Sequence, residues 1–182
     1  MAVHKTTQFT TSHMSSTPAL FQPKIIVHLG AAEVPERFIE ETLRYAKMAV
    51  EAGAAAAREK KPAEDIVAAA VKVLEDCPVT DAGIGSVFNA EGKIQMDAGL
   101  MTGDKRFGAV TTVHNIRNPI LAARAMVDDT RFSILSSEGA MAFIRKHGFE
   151  MLPDEAFVTE YNKFIQEQVQ DPLDLFVNEH GT

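Results

Sequence analysis

At 182 residues the chain has room for one ordinary domain with a real core, and its 46% hydrophobic and 24% charged residues are the balance of a soluble globular protein. A net charge of −7, with no run of Lys and Arg, excludes nucleic acid and anionic membrane as partners, since clustered positive charge holds both. The single cysteine, Cys77, rules out an internal disulfide and points to a reducing, cytoplasmic setting, and no apolar run approaches the ~20 residues of a membrane span.

Residues 1–22 are rich in Ser and Thr and contain neither an acidic residue nor an arginine. Without an apolar core or any periodicity they read as a disordered extension, with a targeting role as the alternative. The main domain is assigned to residues 23–170. "KIIVHLG" (Lys24–Gly30) is a short β-branched run and reads as a buried strand. In "EVPERFIEETLRYAKMAVEAG" the period changes: Ile39, Leu43, Ala46 and Val50 fall on one helical face, and Gly53 is a break or a close-packing point. "KPAEDIVAAAVKVLEDC" predicts a second helix with Pro62 in its first turn, Glu64 and Asp65 at its positive end, and Ile66, Ala70, Val73 and Cys77 as its buried stripe.

Gly83 and Gly85 flank Ile84 and imply backbone conformations or approaches that a side chain would forbid. "SVFNAEGKIQMDA" reads as a hairpin about Asn89–Gly92, with Ile94, Met96 and Ala98 alternating. "FGAVTTVHNI" and "RFSILS" read as strands. Between them Asn118-Pro119 opens a helix, with asparagine as N-cap and proline at the first helical position. "GAMAFIRKHG" is a helix closed by Gly148, and Thr159 caps a last helix through "EYNKFIQEQV". The sum is a mixed α/β (α+β) layout with many helices for few strands.

The residues taken singly do not name a reaction. His4, His13, His28, His114, His147 and His180 are scattered and read as structural or solvated. Glu75 and Asp76 beside Cys77 are either part of a metal site or solvated carboxylates at a helix end. Asp81 and Asp97 bracket the glycine-rich loop and are either an acid/base pair or turn-capping aspartates. Cys77 lies on a buried stripe without a partner histidine, which reads as core.

Collinear segments say more. "IIVHLGAA", "LEDCPVTDAGIGSVFN", "MDAGLMTG", "FGAV", "NPILAARAMV" and "SSEGAMAF" follow the order and spacing of the α-subunit of the threonine-type asparaginases, the isoaspartyl peptidase/L-asparaginase branch of the N-terminal nucleophile hydrolases. The resemblance runs from Lys24 to Thr182. It implies the α-half of a four-layer αββα sandwich whose sheet is incomplete without the β-subunit. It also implies self-cleavage at Gly181–Thr182, with residues 171–182 as the linker to that processing site. The freed Thr182 would attack the side-chain amide of L-asparagine or of a β-aspartyl dipeptide. An α-amine titrates near ~7.7–8.0, so a terminal threonine carries its own base. No cofactor is implied for catalysis. A structural sodium is implied, held by the carbonyls of Leu74, Glu75, Cys77, Thr80, Ala82 and Ile84, a donor set suited to a hard cation. The implied partners are the β-subunit portion of the same precursor, a second αβ unit, and the small-molecule or dipeptide substrate.

The sequence departs from the family where HGGAG becomes His28-Leu29-Gly30-Ala31-Ala32, and where the asparagine before "AGxGS", near the nucleophile, becomes Asp81. Gly99, Thr102 and Ser137 replace a common serine, aspartate and glycine. Two readings follow: a hydrolase segment that does not turn over substrate by itself, or a degenerate, non-catalytic paralogue acting as a scaffold or binding module.

Overall fold

A computed structural model describes residues 23–31, 33–129 and 131–168. The expected N-terminal extension, the linker 171–182, His4, His13, His180 and the Gly181–Thr182 pair lie outside the described residues.

Helix α1 (Ile39–Arg58) follows a single 3-10 turn at Glu36–Phe38 and packs along α2 (Ala63–Glu75). Small side chains set their contact: Thr42, Ala49, Gly53 and Ala56 are the buried positions of α1. A Cβ on Gly53 would collide with the side chain of Ile25 and lie 3.5 Å from Ala70 of α2, so Gly53 is a close-packing point. This arrangement corrects the meaning of the apolar periodicity. Ile39, Leu43, Ala46 and Val50 share one face, but Leu43 is 64% exposed, and Ile39 and Val50 are exposed as well. Helices that approach closely need small residues between them, so the bulky stripe is left on the flank.

The sheet has the order β1-β2-β3. Strands β1 (Met96–Met101) and β2 (Phe107–Val113) form an antiparallel pair, and β3 (Ile134–Ser136) runs parallel to β2 after a crossover through α3 (Pro119–Val127). Helix α4 (Ser137–His147) follows and ends at Gly148, whose φ of +69° is the left-handed closure expected there. Helices α3 and α4 cover one face of the sheet. Val110, Val113, Ala122, Met126, Met141 and Ile144 form its fully buried centre. Gly108 makes the seating possible, because a Cβ there would stand 2.5 Å from the Ala123 carbonyl oxygen and the Val127 nitrogen of α3. The opposite face is only partly covered. The Phe107 ring folds against Gly99, while Met101 is 69% and Ile134 57% exposed.

Two expected strand assignments are corrected. Residues 23–30 are extended but join no ladder among the described residues. Their burial alternates, with Ile25, Val27 and Leu29 packed against Ala49, Ala70 and Leu74 and Ile26 92% exposed. The pattern is that of a half-buried strand without a neighbour. The Asn89–Gly92 turn does form, through the Gly92 amide donating to the Asn89 carbonyl (2.9 Å), but no strands flank it. Backbone groups before the turn are taken by side chains instead: the Val87 amide donates to Asp81 Oδ1 (3.0 Å), and the Ser86 carbonyl accepts from Asn162 Nδ2 (3.1 Å). The hairpin is displaced to β1 and β2.

Helix α5 (Glu160–Gln168) starts as expected at Thr159. Thr159 Oγ1 accepts from the Asn162 amide (3.1 Å) and Asn162 Oδ1 accepts from the Thr159 amide (2.9 Å), a reciprocal cap. Among the described residues no helix is long and apolar enough to cross a membrane.

Candidate functional site

Three elements converge on a cavity of about 230 Å³: the C-terminal end of α2, the N-terminal end of α3 and the start of β1. Glu75, Asp81, Ser86, Gln95, Asp97 and Pro119 are among its lining residues, and no Lys, Arg or His lines it.

Asp97 reaches the cavity because the β1–β2 ladder is irregular there. Met96 pairs with Val113 and Ala98 with Val110, so Asp97 faces both Thr111 and Thr112 in a β-bulge. Thr112 has φ +54°, a strained conformation for a β-branched residue, and Asp97 Oδ1 accepts its amide (2.7 Å). Asp81 similarly holds the Val87 amide. The two aspartates expected to bracket the loop therefore line the same cavity, each with one oxygen on a backbone amide. Asp81 holds its own loop through the Val87 amide, as the turn-capping reading expects, whereas Asp97 holds the bulge of the neighbouring strand; both also line one cavity.

Glu75 departs furthest from expectation. It is 3% exposed, not a solvated helix-end carboxylate. Its Oε1 accepts the Ile120 amide in the first turn of α3 (2.8 Å), while Oε2 is buried without a hydrogen-bond partner. Burial is the largest influence on this carboxyl and pushes it up to about 8, with the charge of Asp76 adding to the shift and the Ile120 amide and Asn118 opposing it. Glu75 thus takes the capping role expected of Asn118. Asn118 does occupy the N-cap position, but its Nδ2 donates to Asp76 Oδ1 (3.2 Å) and to the Lys72 carbonyl (3.5 Å). Asp76 moves the other way from Glu75. Its partial burial is outweighed by Lys72 (2.6 Å), Asn118 and Arg117 (3.0 Å), which hold it below the ordinary carboxylate range.

Glu75 and Asp76 are thus engaged apart from one another. Among the described residues no group of three or more His, Cys, Asp or Glu could hold a metal ion. Cys77 is fully buried, and burial pushes its thiol up, which makes it core rather than nucleophile. The histidines bond locally: His28 Nδ1 accepts the Gly30 amide (3.1 Å), and His147 Nδ1 meets the Phe143 carbonyl (2.8 Å). His114 pairs with Asn115 and lines a larger cleft of about 420 Å³ with Phe88, Ile94 and Phe157, which contains none of the other expected site residues.

The carbonyl loop from Leu74 to Ile84 is wound tightly. Gly83 has φ +55°, and a Cβ on it would collide with the Glu75 carbonyl. A Cβ on Gly85 would collide with the Thr80 carbonyl and stand 2.8 Å from that of Cys77. Thr80 Oγ1 donates to the Leu74 carbonyl (2.8 Å) and holds the loop closed. Carbonyl oxygens keep a second lone pair after one hydrogen bond and suit a hard monovalent cation, but the Leu74 carbonyl already accepts from Thr80 Oγ1 (2.8 Å) and from the Cys77 amide (3.2 Å), so it fits that donor set less well than its neighbours.

The sequence reading missed Glu75 as a buried acid, and Ser86, Gln95 and Asn162 as members of the site and its support. A signal existed for Glu75: it lies seven residues after Ala68 and four after Val71, on the inward stripe of α2. Nothing local marked Asn162, which reaches the Ser86 carbonyl across 76 positions of sequence.

Comparison with known proteins adds the family. The family model for Asparaginase matches residues 21–174. The isoaspartyl peptidase/L-asparaginase of Danio rerio is 36% identical over 151 residues, 82% of this chain and 49% of the relative. The human protein of the same name is 38% identical over 143 residues, 78% of this chain and 46% of its own length. A plant-type L-asparaginase of Pyrococcus abyssi is 42% identical over 151 residues, again 82% of this chain and 48% of the relative. The chain spans about half the length of the curated relatives it matches. With the match running from the extended N-terminal segment through α5, the chain belongs to the asparaginase family.

Proposed function

We propose that this chain is the scaffold-bearing α-portion of a threonine hydrolase that cleaves the side-chain amide of L-asparagine or β-aspartyl dipeptides. The observation that carries the reading is the one-sided sheet. Helices seal one face, while Met101 and Ile134 stay open on the other. Next to the helices lie an unpaired extended segment at residues 23–30 and the open stripe of α1. Apolar surface left uncovered in this way marks a contact with further protein. The remaining half of the relatives' length is the proposed cover, forming the second sheet and its helices in an αββα sandwich. A second αβ unit is the further proposed partner, and a reducing, cytoplasmic setting suits the lone Cys77.

In this reading the bond between Gly181 and Thr182 is cut and the new α-amine takes the proton from Thr182 Oγ1. That oxygen attacks the substrate amide carbon, the proton taken by the α-amine passes to the leaving nitrogen, and the C–N bond breaks to release ammonia from L-asparagine or the second amino acid from a β-aspartyl dipeptide. Water then hydrolyses the ester to give the free acid and restore the threonine. The α-portion contributes position rather than chemistry: the Leu74–Ile84 loop, holding sodium through its carbonyls, and the Asp81–Ser86 turn form a rigid floor. Sodium would supply structural charge balance there and no step of the reaction.

A second reading, a non-catalytic scaffold, is favoured by Asp81, which presents a carboxylate where the family has an amide. One experiment tests both. The chain is produced together with the remaining half of the fold, and the products are examined by mass spectrometry for a new N-terminal threonine and by ammonia release from L-asparagine. Cleavage with turnover is the expected result. A well-folded complex with neither sinks the hydrolase reading, and turnover gained only with Asp81→Asn supports the scaffold.

A further inference from the structure

We propose that the cleft of about 420 Å³ at His114 is a binding site for a small, uncharged aromatic molecule bearing a hydroxyl group, a ligand of the phenol class. Its volume lies in the ~300–1,000 Å³ range of small-molecule sites. The apolar part of its wall is fixed by packing: Phe157 is buried, and Phe88 and Ile94 are half-buried. What distinguishes it from an ordinary surface cleft is the way His114 is held. Asn115 Nδ2 donates to the Leu152 carbonyl (3.0 Å) and to Asp154 Oδ1, both acceptors, so the orientation of its amide is settled. Asn115 Oδ1 then faces His114 Nδ1 and can only accept from it. The proton of the uncharged imidazole is thereby placed on Nδ1, and Nε2 is the ring nitrogen left with a lone pair. The backbone is held as firmly. Asn115 has φ +60°, its carbonyl accepts the Leu152 amide (2.7 Å), and Ile116 bridges to Met151. A histidine whose tautomer is fixed by an ordered neighbour is prepared to accept a hydrogen bond from a ligand.

The other lining groups select that ligand. The charged ones are Lys93 and Asp154, of opposite sign, and each is already engaged, Lys93 with Glu91 (2.7 Å) and Asp154 with Asn115. Neither is left to hold an ion, so a neutral molecule is favoured. Gln95 Oε1 accepts from Asn89 Nδ2 (2.9 Å), which leaves the Gln95 amide protons for an oxygen of the ligand. A hydroxyl meets both requirements, since it donates one hydrogen bond and accepts others. An aromatic body suits the rings of Phe88 and Phe157, against which it can pack offset or edge-on. This chemistry does not depend on whether the chain takes part in hydrolysis.

The test titrates the full chain, in mildly alkaline buffer, with p-cresol, with its methyl ether, which keeps the ring and the oxygen but has no hydroxyl proton, and with benzoate. Nitrogen NMR of the histidine side chains and the backbone amides is the readout. p-Cresol is expected to bind saturably, shifting His114 Nε2 and the amides of Phe88, Ile94 and Val158. It is expected to bind roughly five- to tenfold more tightly than its ether, the worth of one hydrogen bond. His114→Phe keeps an aromatic ring without the nitrogen, and should bring p-cresol down to the affinity of the ether while leaving the ether unchanged. Phe88→Ala should weaken both ligands by about fivefold or more. The amide spectrum verifies that each variant folds, and the His114 Nε2 signal of the parent chain tests the contact without any variant. The proposal is overturned if p-cresol does not act saturably, if the ether or benzoate binds as tightly as p-cresol, if the His114 Nε2 signal stays in place on binding, or if folded His114→Phe binds p-cresol like the parent chain.

Discussion

The two sides of this molecule contrast in how they treat apolar residues of the same kind. Between the sheet and helices α3 and α4, Val110, Met126, Met141 and Ile144 are fully buried. On the outer surfaces of the 23–30 segment, of α1 and of the uncovered sheet face, Ile26, Leu43, Met101 and Ile134 are equally apolar and stand open. Side-chain chemistry cannot account for the contrast, so its source is what covers each surface. The first side is closed by elements within about forty residues of one another, β2 through α4. The second presents an unpaired strand-like segment, a helix flank and a sheet face, all suited to protein contact.

The largest expected effect sits in the closed side. Ile144→Ala should lower stability by roughly 2–5 kcal/mol in denaturant unfolding, the usual cost of a cavity in a fully packed site. A loss under about 1 kcal/mol would mean that this core is as loose as the open side.

Next in size is the pH dependence of the junction where Glu75 ends α2 and caps α3. Its folded-state value of about 8 lies above the ordinary carboxylate value, so the folded chain holds this proton more tightly than the unfolded one. The associated stability is complete below about pH 4.5 and is lost as pH rises towards 8. Asp76, Lys72, Asp81 and Asp97 are the charged neighbours in play. Glu75→Gln should flatten this slope and exceed the parent in stability by roughly 2–4 kcal/mol at pH 8, converging with it near pH 4.5. Parallel stability curves for the two proteins would remove the buried acid from the account. Asp76 has the opposite sign: Lys72, Asn118 and Arg117 hold it low, so its contribution is present above the ordinary carboxylate range and lost as pH falls.

A smaller effect belongs to the cap of α5. Thr159→Ala should cost about 1 kcal/mol, read by thermal unfolding. The smallest expected effect tests the open side most directly. Leu43→Ser should change the stability of this chain by no more than about 0.5 kcal/mol. In a complex with the rest of the fold it should cost several times that. A core-sized loss in the chain alone would show that the open stripe is already covered, and the contrast would fail.

Several features were legible in the sequence because their causes are local. Gly148 closes α4, Thr159 starts α5, Asn118-Pro119 opens α3, and the Gly83 and Gly85 positions tolerate no side chain. Turn stereochemistry and capping act within a few residues, so a short stretch contains the whole cause. The Asp81–Asp97 cavity was half legible: its residues were singled out, but the bulge that turns Asp97 towards Glu75 arises from the register of β1 against β2.

By itself the sequence determined the helices, the α/β class and the family, since periodicity, caps and collinear motifs are properties of the chain in order. Tertiary structure alone decided which apolar face is buried and which carboxylate is isolated from water. The Ile39–Leu43–Val50 stripe and the Thr42–Ala49–Gly53–Ala56 stripe are both regular, and only the close approach of α2 selects the small one. Glu75 is an ordinary helix-end acid in the sequence; the N-terminus of α3, forty-five positions further on, makes it a buried cap with one oxygen unpaired. Burial depends on neighbours, and neighbours distant in sequence are set by packing.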